Sequence, residues 1–278
     1  SLLTCPAYRG RVAGPSVGLV VPRLARHRAR VSGSCHPWSM SWLDGPMVGF
    51  DTETTGVSPL HDRIVTAALI TRTGSEISQR TWLIDPGVPI PERATEVHGI
   101  TTAMAQMDGM QPADALAEIA SILAGALSAG IPVVGFNVQY DLTILESELA
   151  RHGLPTLAER LPSGVRPVVD PLVLDRHLDR WRRGKRKLID MCGTYGVTVV
   201  ADELHAADAD VLATLDLVHA IAGRYPTLAT VELADLHDQQ VEAHRVWATE
   251  FTSWLKSRGV TDDFPSPEWP ICHAVVPA

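Results

Sequence analysis

Asp51 and Glu53 stand at alternate positions in "GFDTETTG" (49–56), where the apolar run "PMVGF" has just ended. Successive side chains of a strand point to opposite faces, so the two carboxylates share one face and Thr52 takes the other. Like charges at that spacing repel unless a cation lies between them, and oxygen-only donors suit a hard divalent ion such as Mg²⁺ or Mn²⁺. A solvated pair at a strand end is the commoner fate of a lone D-x-E, so the reading needs company. Asp141, in "GFNVQYDLTIL", follows a second apolar run at the start of a helix, where the helix dipole alone would also favour a carboxylate. "LHAADADVLAT" adds His205, Asp208 and Asp210. Five residues of helix end ~140° past a full turn, so His205 and Asp210 share a site only if His205 enters from the preceding loop, for which "VVADEL" is suited.

The elements that must position these groups are legible as periodicity. "MVGFDTE", "RIVTAALITRTG" and "EISQRTWLIDP" read as three successive strands, the last two joined by a turn at "TGSE", which makes an antiparallel meander. "QPADALAEIASILAGALSAG" repeats Leu116, Ile119, Ile122, Leu123, Ala126 and Leu127 at helical spacing, with Pro112 near its start and Gly130 at its end. "IPVVGFN" is a short buried strand, "YDLTILESELARHG" a helix, and "VRPVVDP" a last short strand. Helices are expected over "LVLDRHLDRW", "LIDMCGTYG" and "DADVLATLDLVHAIAGRY". A meander followed by alternating strands and helices is an α/β chain with a mixed sheet and helices on both faces. The final long helix, "VELADLHDQQVEAHRVWATEFTSWLKSRG", shows a stripe of Trp247, Phe251, Trp254 and Leu255, expected to pack on the parent domain rather than on a partner.

Composition narrows the class. No apolar run approaches the ~20 residues of a membrane-spanning helix, so no membrane association is expected. Four cysteines without a C-x-x-C pair indicate neither a disulfide framework nor a zinc knuckle, which fits a reducing, cytoplasmic setting. Residues 1–43 hold six Arg and no Lys, Asp or Glu, and lack periodicity. They read as a disordered or non-native extension, with Met40 as the natural start, ahead of a domain over 44–225 and a C-terminal helix and tail over 226–278. The rest of the chain is acidic, which argues against coating nucleic acid by charge alone. One strongly basic stretch, "RHLDRWRRGKRK" (176–187), either guides a phosphate backbone or is a solvated helix end and loop.

Taken together, "FDTETTG", "FNVQYDLTIL" and "HAADAD" (H-x-A-x-x-D), with "ATEVHGIT" (94–101) and "VVDPLVL" around Asp170, resemble the DnaQ-like (DEDDh) 3′–5′ exonucleases, the family of the proofreading epsilon subunit of bacterial DNA polymerase III. The resemblance runs from about Pro46 to Tyr225 and implies a ribonuclease H-like fold with a five-stranded sheet. It implies that Asp51, Glu53, Asp141 and Asp210 hold two Mg²⁺ or Mn²⁺ ions ~3.5–4 Å apart, Asp51 bridging them, with His205 as general base. It selects Asp210 over Asp208 and places Thr52, Thr54, His98, Phe136 and Asn137 against the substrate. The implied reaction releases 5′-mononucleotides from a nucleic acid with a free 3′ end, preferably single-stranded DNA, with a DNA polymerase as an open partner. An exoribonuclease or oligonucleotide-degrading enzyme is the alternative within the family, and a non-catalytic binding or assembly module the alternative outside it. The sequence departs from the family pattern in "NVQYD" before Asp141 and in lacking a basic residue shortly before His205.

Overall fold

In the computed structural model, which describes residues 41–199 and 207–272, the apolar run before Asp51 becomes the centre of a sheet. β1 (Met47–Thr54) is buried along nearly all its length because antiparallel β2 (Ile64–Thr73) flanks one edge and parallel β4 (Val133–Val134) the other. β3 (Glu76–Leu83) joins β2 through a tight turn at Gly74, whose φ of +58 suits glycine, and β5 (Val168–Val169) lies parallel to β4. The order β3-β2-β1-β4-β5 is the mixed five-stranded sheet expected from the meander and the later alternation.

Helices cover both faces. In chain order they are α1 (Glu92–His98), α2 (Thr102–Asp108), α3 (Pro112–Ser128), α4 (Val138–Arg151), α5 (Leu157–Arg160), α6 (Pro171–Leu178), α7 (Leu188–Tyr195), α8 (Ala207–Arg224) and α9 (Leu233–Ser257). The pleat of β1 sorts them. Val48 and Phe50 pack in one core cluster with Leu116, Ile119 and Leu123 of α3 and Leu145 of α4. Met47, on the other parity, packs with Met191 of α7 and Val211 and Leu215 of α8. Gly49 shares that second face, and a Cβ there would stand 2.3 Å from Val211 Cγ1, so α8 lies directly on the backbone of β1. This close approach decides where the first residues of α8, Asp210 among them, are held.

The structure adds to or departs from the sequence reading in three places. The buried face of α9 is Leu236, His237, Gln240, His244 and Ala248, not the aromatic stripe; Trp254 is exposed and Trp247, Phe251 and Leu255 are only part-buried. The reason is that α9 covers the free edge of the sheet, which polar side chains serve better than rings. Gln240 Nε2 donates to Val168 O (3.1 Å), Gln240 Oε1 accepts from Asp170 N (2.8 Å), and His237 Nδ1 accepts from Val168 N (3.2 Å), so the helix pairs β5 as another strand would. Secondly, the chain after α9 folds back: Trp269 and Ile271 are buried in the α3/α4 cluster, and Cys272 N donates to Thr143 Oγ1 (3.0 Å). Thirdly, Trp42 and Leu43 pack beside α8, and Trp42 Nε1 donates to Leu228 O (2.7 Å), so the end of the expected extension belongs to the fold. The expectations for residues 1–40, Met40 included, fall outside the described residues.

Candidate active site

The alternation of β1 carries the site. Asp51 and Glu53 fall on the α8 face, as Gly49 does, while Thr52 and Thr54 fall on the α4 face. Asp51, Glu53 and Asp210 each bring a carboxylate oxygen within 4.8 Å of the others. Asp141 comes from α4 on the opposite side: its Oδ1 accepts from both Thr52 N (3.1 Å) and Thr52 Oγ1 (2.7 Å). The residue between the two strand carboxylates is therefore what fixes the carboxylate of the second motif. Asp208 goes elsewhere, accepting from Gln79 Nε2 of β3 at 2.8 Å, so the structure separates it from Asp210. His205 lies outside the described residues, two positions before α8 begins.

The other expected residues ring the end of β1. Thr54 Oγ1 donates to Gly56 O (2.6 Å) and lies 2.8 Å from the Tyr140 hydroxyl, which also donates to Gly56 O (2.5 Å). His98, closing α1, accepts from Ile100 N through Nδ1 (3.1 Å), and the backbone of Thr54 lies against its ring; burial pushes its pKa down, favouring the neutral imidazole. Phe136 is half-buried at the end of β4 and packs toward the α8 side. Asn137 sits in the left-handed region (φ 60), and its N–H donates to Asp170 Oδ1 (3.2 Å).

Two residues were not among the candidates. Tyr140 stands immediately before Asp141, and its hydroxyl ties the first turn of α4 to the loop after β1. Asp170 is fully buried and accepts from Asn137 N, Val138 N (3.0 Å) and Leu172 N (2.8 Å), so one carboxylate caps both α4 and α6. Its place between β5 and Pro171 is a helix-start signal visible in "VVDPLVL".

Burial of so much negative charge has a cost that the titration behaviour reveals. Burial raises Asp51 well above the usual carboxylate range, and Asp141, Glu53 and Asp210 raise it further. Glu53 is pushed up to about 7 by burial and by the charges of Asp210 and Asp141. Asp141 also reaches about 7 by burial, although its bonds from Thr52 hold it down. Asp51 Oδ2, Glu53 Oε1 and Asp141 Oδ2 are buried and have no hydrogen-bond partner among the described residues. Buried polar atoms in folded proteins are nearly always bonded. The orphaned oxygens of Asp51 and Glu53, grouped with Asp210, fit a hard divalent cation, which takes oxygen donors and favours their charged form; Asp141, held by Thr52, lies outside that group but close enough to raise both pKa values.

A stability profile follows with a definite sign. Unfolded carboxylates titrate near 4, whereas Glu53 and Asp141 titrate at about 7 when folded. Between those values the folded chain holds protons that the unfolded chain has lost, so metal-free stability falls as pH rises through the window. Thermal melts in chelator are expected to drop from pH 5 to pH 8, and Mn²⁺ or Mg²⁺ at pH 8 to restore the loss. A metal-free melting temperature that stays level or rises over that range would contradict the strain assigned to these carboxylates.

Comparison with known proteins bears on the family and the fold. Residues 48–218 match the family model RNase_T, described as exonuclease. DNA polymerase III PolC-type of Lacticaseibacillus paracasei is 32% identical over 175 residues, covering 63% of this chain and 11% of that protein. The PolC-type protein of Streptococcus thermophilus is 33% identical over 171 residues, covering 60% and 10%. The chain thus spans about a tenth of the length of the curated relatives it matches. Among solved structures, E. coli exonuclease I in complex with a dA16 oligonucleotide superposes with a TM-score of 0.58 at 20% identity, over 72% of this chain and 44% of that one. Exonuclease I of Methylocaldum szegediense gives 0.53 at 23% identity, over 66% and 42%. At such identities the likeness bears on the fold, which it shares with the mixed sheet described above. The family match, in contrast, runs from β1 into α8 and so takes in Asp51, Glu53, Asp141 and Asp210 in chain order; on that ground the chain belongs to the exonuclease family, among its DnaQ-like members.

Proposed function

We propose that the chain is a metal-dependent 3′–5′ exonuclease that removes 5′-mononucleotides from single-stranded DNA. The observation that carries this reading is the meeting of the β1 carboxylates Asp51 and Glu53 with Asp210 of α8, near enough to Asp141 of α4 for its charge to act on both strand carboxylates, with buried oxygens of Asp51, Glu53 and Asp141 unpartnered among the described residues. Asp51, Glu53, Asp141 and Asp210 would hold two Mg²⁺ or Mn²⁺ ions. Such ions, when bound, lower the pKa of water and offset the charge that an anion meets in attacking a phosphodiester. The chain's own residues do the rest. Thr52 keeps Asp141 in place through two hydrogen bonds, and Asp170 fixes the turn from which α4 delivers it. His205, five residues before Asp210, takes the proton of the attacking water as that oxygen bonds to phosphorus and the 3′ oxygen leaves. Thr54, His98, Phe136 and Asn137 border the end of β1 and the β4–α4 turn, where they contact the terminal nucleotide.

DNA as substrate is supported by the relatives being DNA polymerase III proteins and by the oligonucleotide held by the E. coli structure. The same relatives support a proofreading setting beside a polymerase. Among the described residues no helix is long and apolar enough to cross a membrane, and Cys192 and Cys272 are free thiols, which fits a cytoplasmic enzyme.

The test uses 5′-labelled single strands of DNA and of RNA with Mg²⁺, Mn²⁺ or chelator. The DNA strand is expected to shorten stepwise from its 3′ end, releasing 5′-mononucleotides, only with metal present. His205→Ala is expected to slow this by ~10²–10⁴-fold while metal titration stays normal, since a general base contributes about that much without being a ligand. Faster loss of RNA would reassign the substrate, and no shortening of either strand with metal would remove the enzyme reading.

A further inference from the structure

The basic stretch 176–187 carries seven Lys and Arg against one Asp in a chain that has 24 against 32 overall. The fold divides it into two sets. Asp175, wholly buried, accepts from Arg182 Nε (3.0 Å) and Nη2 (2.9 Å), from Arg186 Nε (2.6 Å) and from the Tyr195 hydroxyl (2.8 Å). Arg186 Nη2 further donates to Asp179 O (2.8 Å). These two arginines are internal staples that fix the loop after α6. Between and beside them the chain turns at Gly184 (φ +105) and leaves Trp181, Arg183 and Lys185 facing solvent. Trp181 is 83% exposed, an unusual state for the largest apolar side chain on a loop held so firmly.

The loop is also tied to the outer half of α9. Arg180 lies over the Trp181 ring (5.0 Å) and pairs with Glu250. Beside that contact Trp247, Phe251 and Trp254 form a stacked row (5.5 and 5.6 Å between centroids), with Arg176 over Trp247 (3.7 Å) and Arg258 over Trp254 (5.4 Å). This row is the aromatic stripe that the β5-facing side of α9 leaves out. Its place relative to the site follows from the pairing of Gln240 with Val168 and Asp170: α9 draws level with the C-terminal end of β5 there, and Glu250 is ten residues, about 15 Å, farther along. β1 and β5 run in the same sense through β4, so this is the C-terminal end of these strands, the end toward which Asp51 and Glu53 lie.

We propose that this shoulder, Trp181 with Arg183 and Lys185 backed by the aromatic row of α9, holds single-stranded nucleic acid upstream of the 3′ end being cleaved. The proposal rests on the exonuclease reading for the direction of the strand. An exposed indole beside cationic side chains, here Trp181 with Arg183 and Lys185, is what a base and the phosphates of an unpaired strand engage, and a loop already fixed by Asp175 needs no further ordering to do so. Within the acidic described part of the chain, this concentration of positive charge makes a place where a polyanion is attracted rather than repelled.

The experiment separates holding from cleavage. Binding of a labelled DNA strand of about 20 nucleotides is followed by anisotropy, with Ca²⁺ replacing Mg²⁺, for the full chain, Trp181→Ala and the double variant Arg183→Ala/Lys185→Ala. Each variant is expected to weaken binding by about 5- to 50-fold, and the double variant to lower the slope of log affinity against log salt by about 1.4. With Mg²⁺ the KM for that strand should rise in parallel, whereas turnover of a dinucleotide, too short to reach the shoulder, should not change. Affinity within about twofold of wild type in both variants, or equal losses on the dinucleotide, would overturn the proposal. The same holds if strand binding is intact and the variants lose only a protein partner. A wild-type chain that binds the strand at the shoulder but cleaves neither length would refute the exonuclease reading and leave this one standing.

Discussion

Asp51→Asn and Glu53→Gln are each expected to lower exonuclease turnover by roughly 10³-fold or more while raising the melting temperature of the metal-free protein. The two effects share one cause. Both groups are buried, and burial together with neighbouring carboxylates drives their pKa values upward, so each ionised oxygen is held where the fold alone disfavours it. An amide of the same shape removes that charge without opening a cavity. At pH 8 the gain should be on the order of 1–3 kcal/mol, from about 1.4 kcal/mol per pKa unit, which is roughly 3–10 °C for a chain of this size. Activity moves the other way because the strained oxygens are the ones available to a cation. Added Mn²⁺ should stabilise wild type at pH 8 and stabilise the variants much less. Thermal melts with and without metal, run beside the exonuclease assay, decide the matter: a variant that loses activity and stability together would mark Asp51 or Glu53 as a structural residue, and one that keeps near-wild-type turnover would remove it from the site.

How far this site could be read from sequence depends on what each residue answers to. Asp51 and Glu53 are legible because strand alternation puts i and i+2 on one face whatever the rest of the chain does. Asp141 and Asp210 needed the family pattern, because each is also an ordinary carboxylate in the first turn of a helix. The bond between Thr52 and Asp141 could not be read: it depends on α4 and α8 taking opposite faces of β1, a matter of tertiary packing. The short helices α1 and α2 escaped because seven residues with one buried alanine each give no periodic apolar signal.

The misreading of α9 is instructive for the same reason. Its aromatic residues have the greater apolar surface, so a pattern search picks them, yet its buried face contains His237, Gln240 and His244. Those side chains answer the backbone of β5 rather than a hydrophobic partner. An unpaired edge is as strong a demand on a neighbouring helix as an apolar face, and no count of apolar spacing registers it. Helix α9 also reaches the catalytic end of the sheet, since Gln240 holds Asp170 N while the Asp170 carboxylate holds Asn137 and Val138 at the start of α4.

Ending the chain at Tyr225 is therefore expected to be severely destabilising and to impair the site as well, through groups other than the aromatic stripe. The deletion strips Val168 N, Val168 O and Asp170 N of their partners and takes Trp269 and Ile271 out of the α3/α4 core. Because so large a deletion can simply abolish folding, two point variants carry the argument. Trp269→Ala removes a buried indole from the core and should cost about 3–5 kcal/mol, a fall of roughly 6–20 °C in melting temperature, with KM and kcat near wild type at a temperature where the protein remains folded. Gln240→Ala should cost about 1–3 kcal/mol by leaving buried backbone groups unpaired, and unlike Trp269→Ala it should also lower kcat, because the turn that aims Asp141 is released. Equal kcat losses in the two variants would mean that the C-terminal segment acts on the site only through overall stability. A Trp269→Ala melt indistinguishable from wild type would mean that the tail does not pack as described.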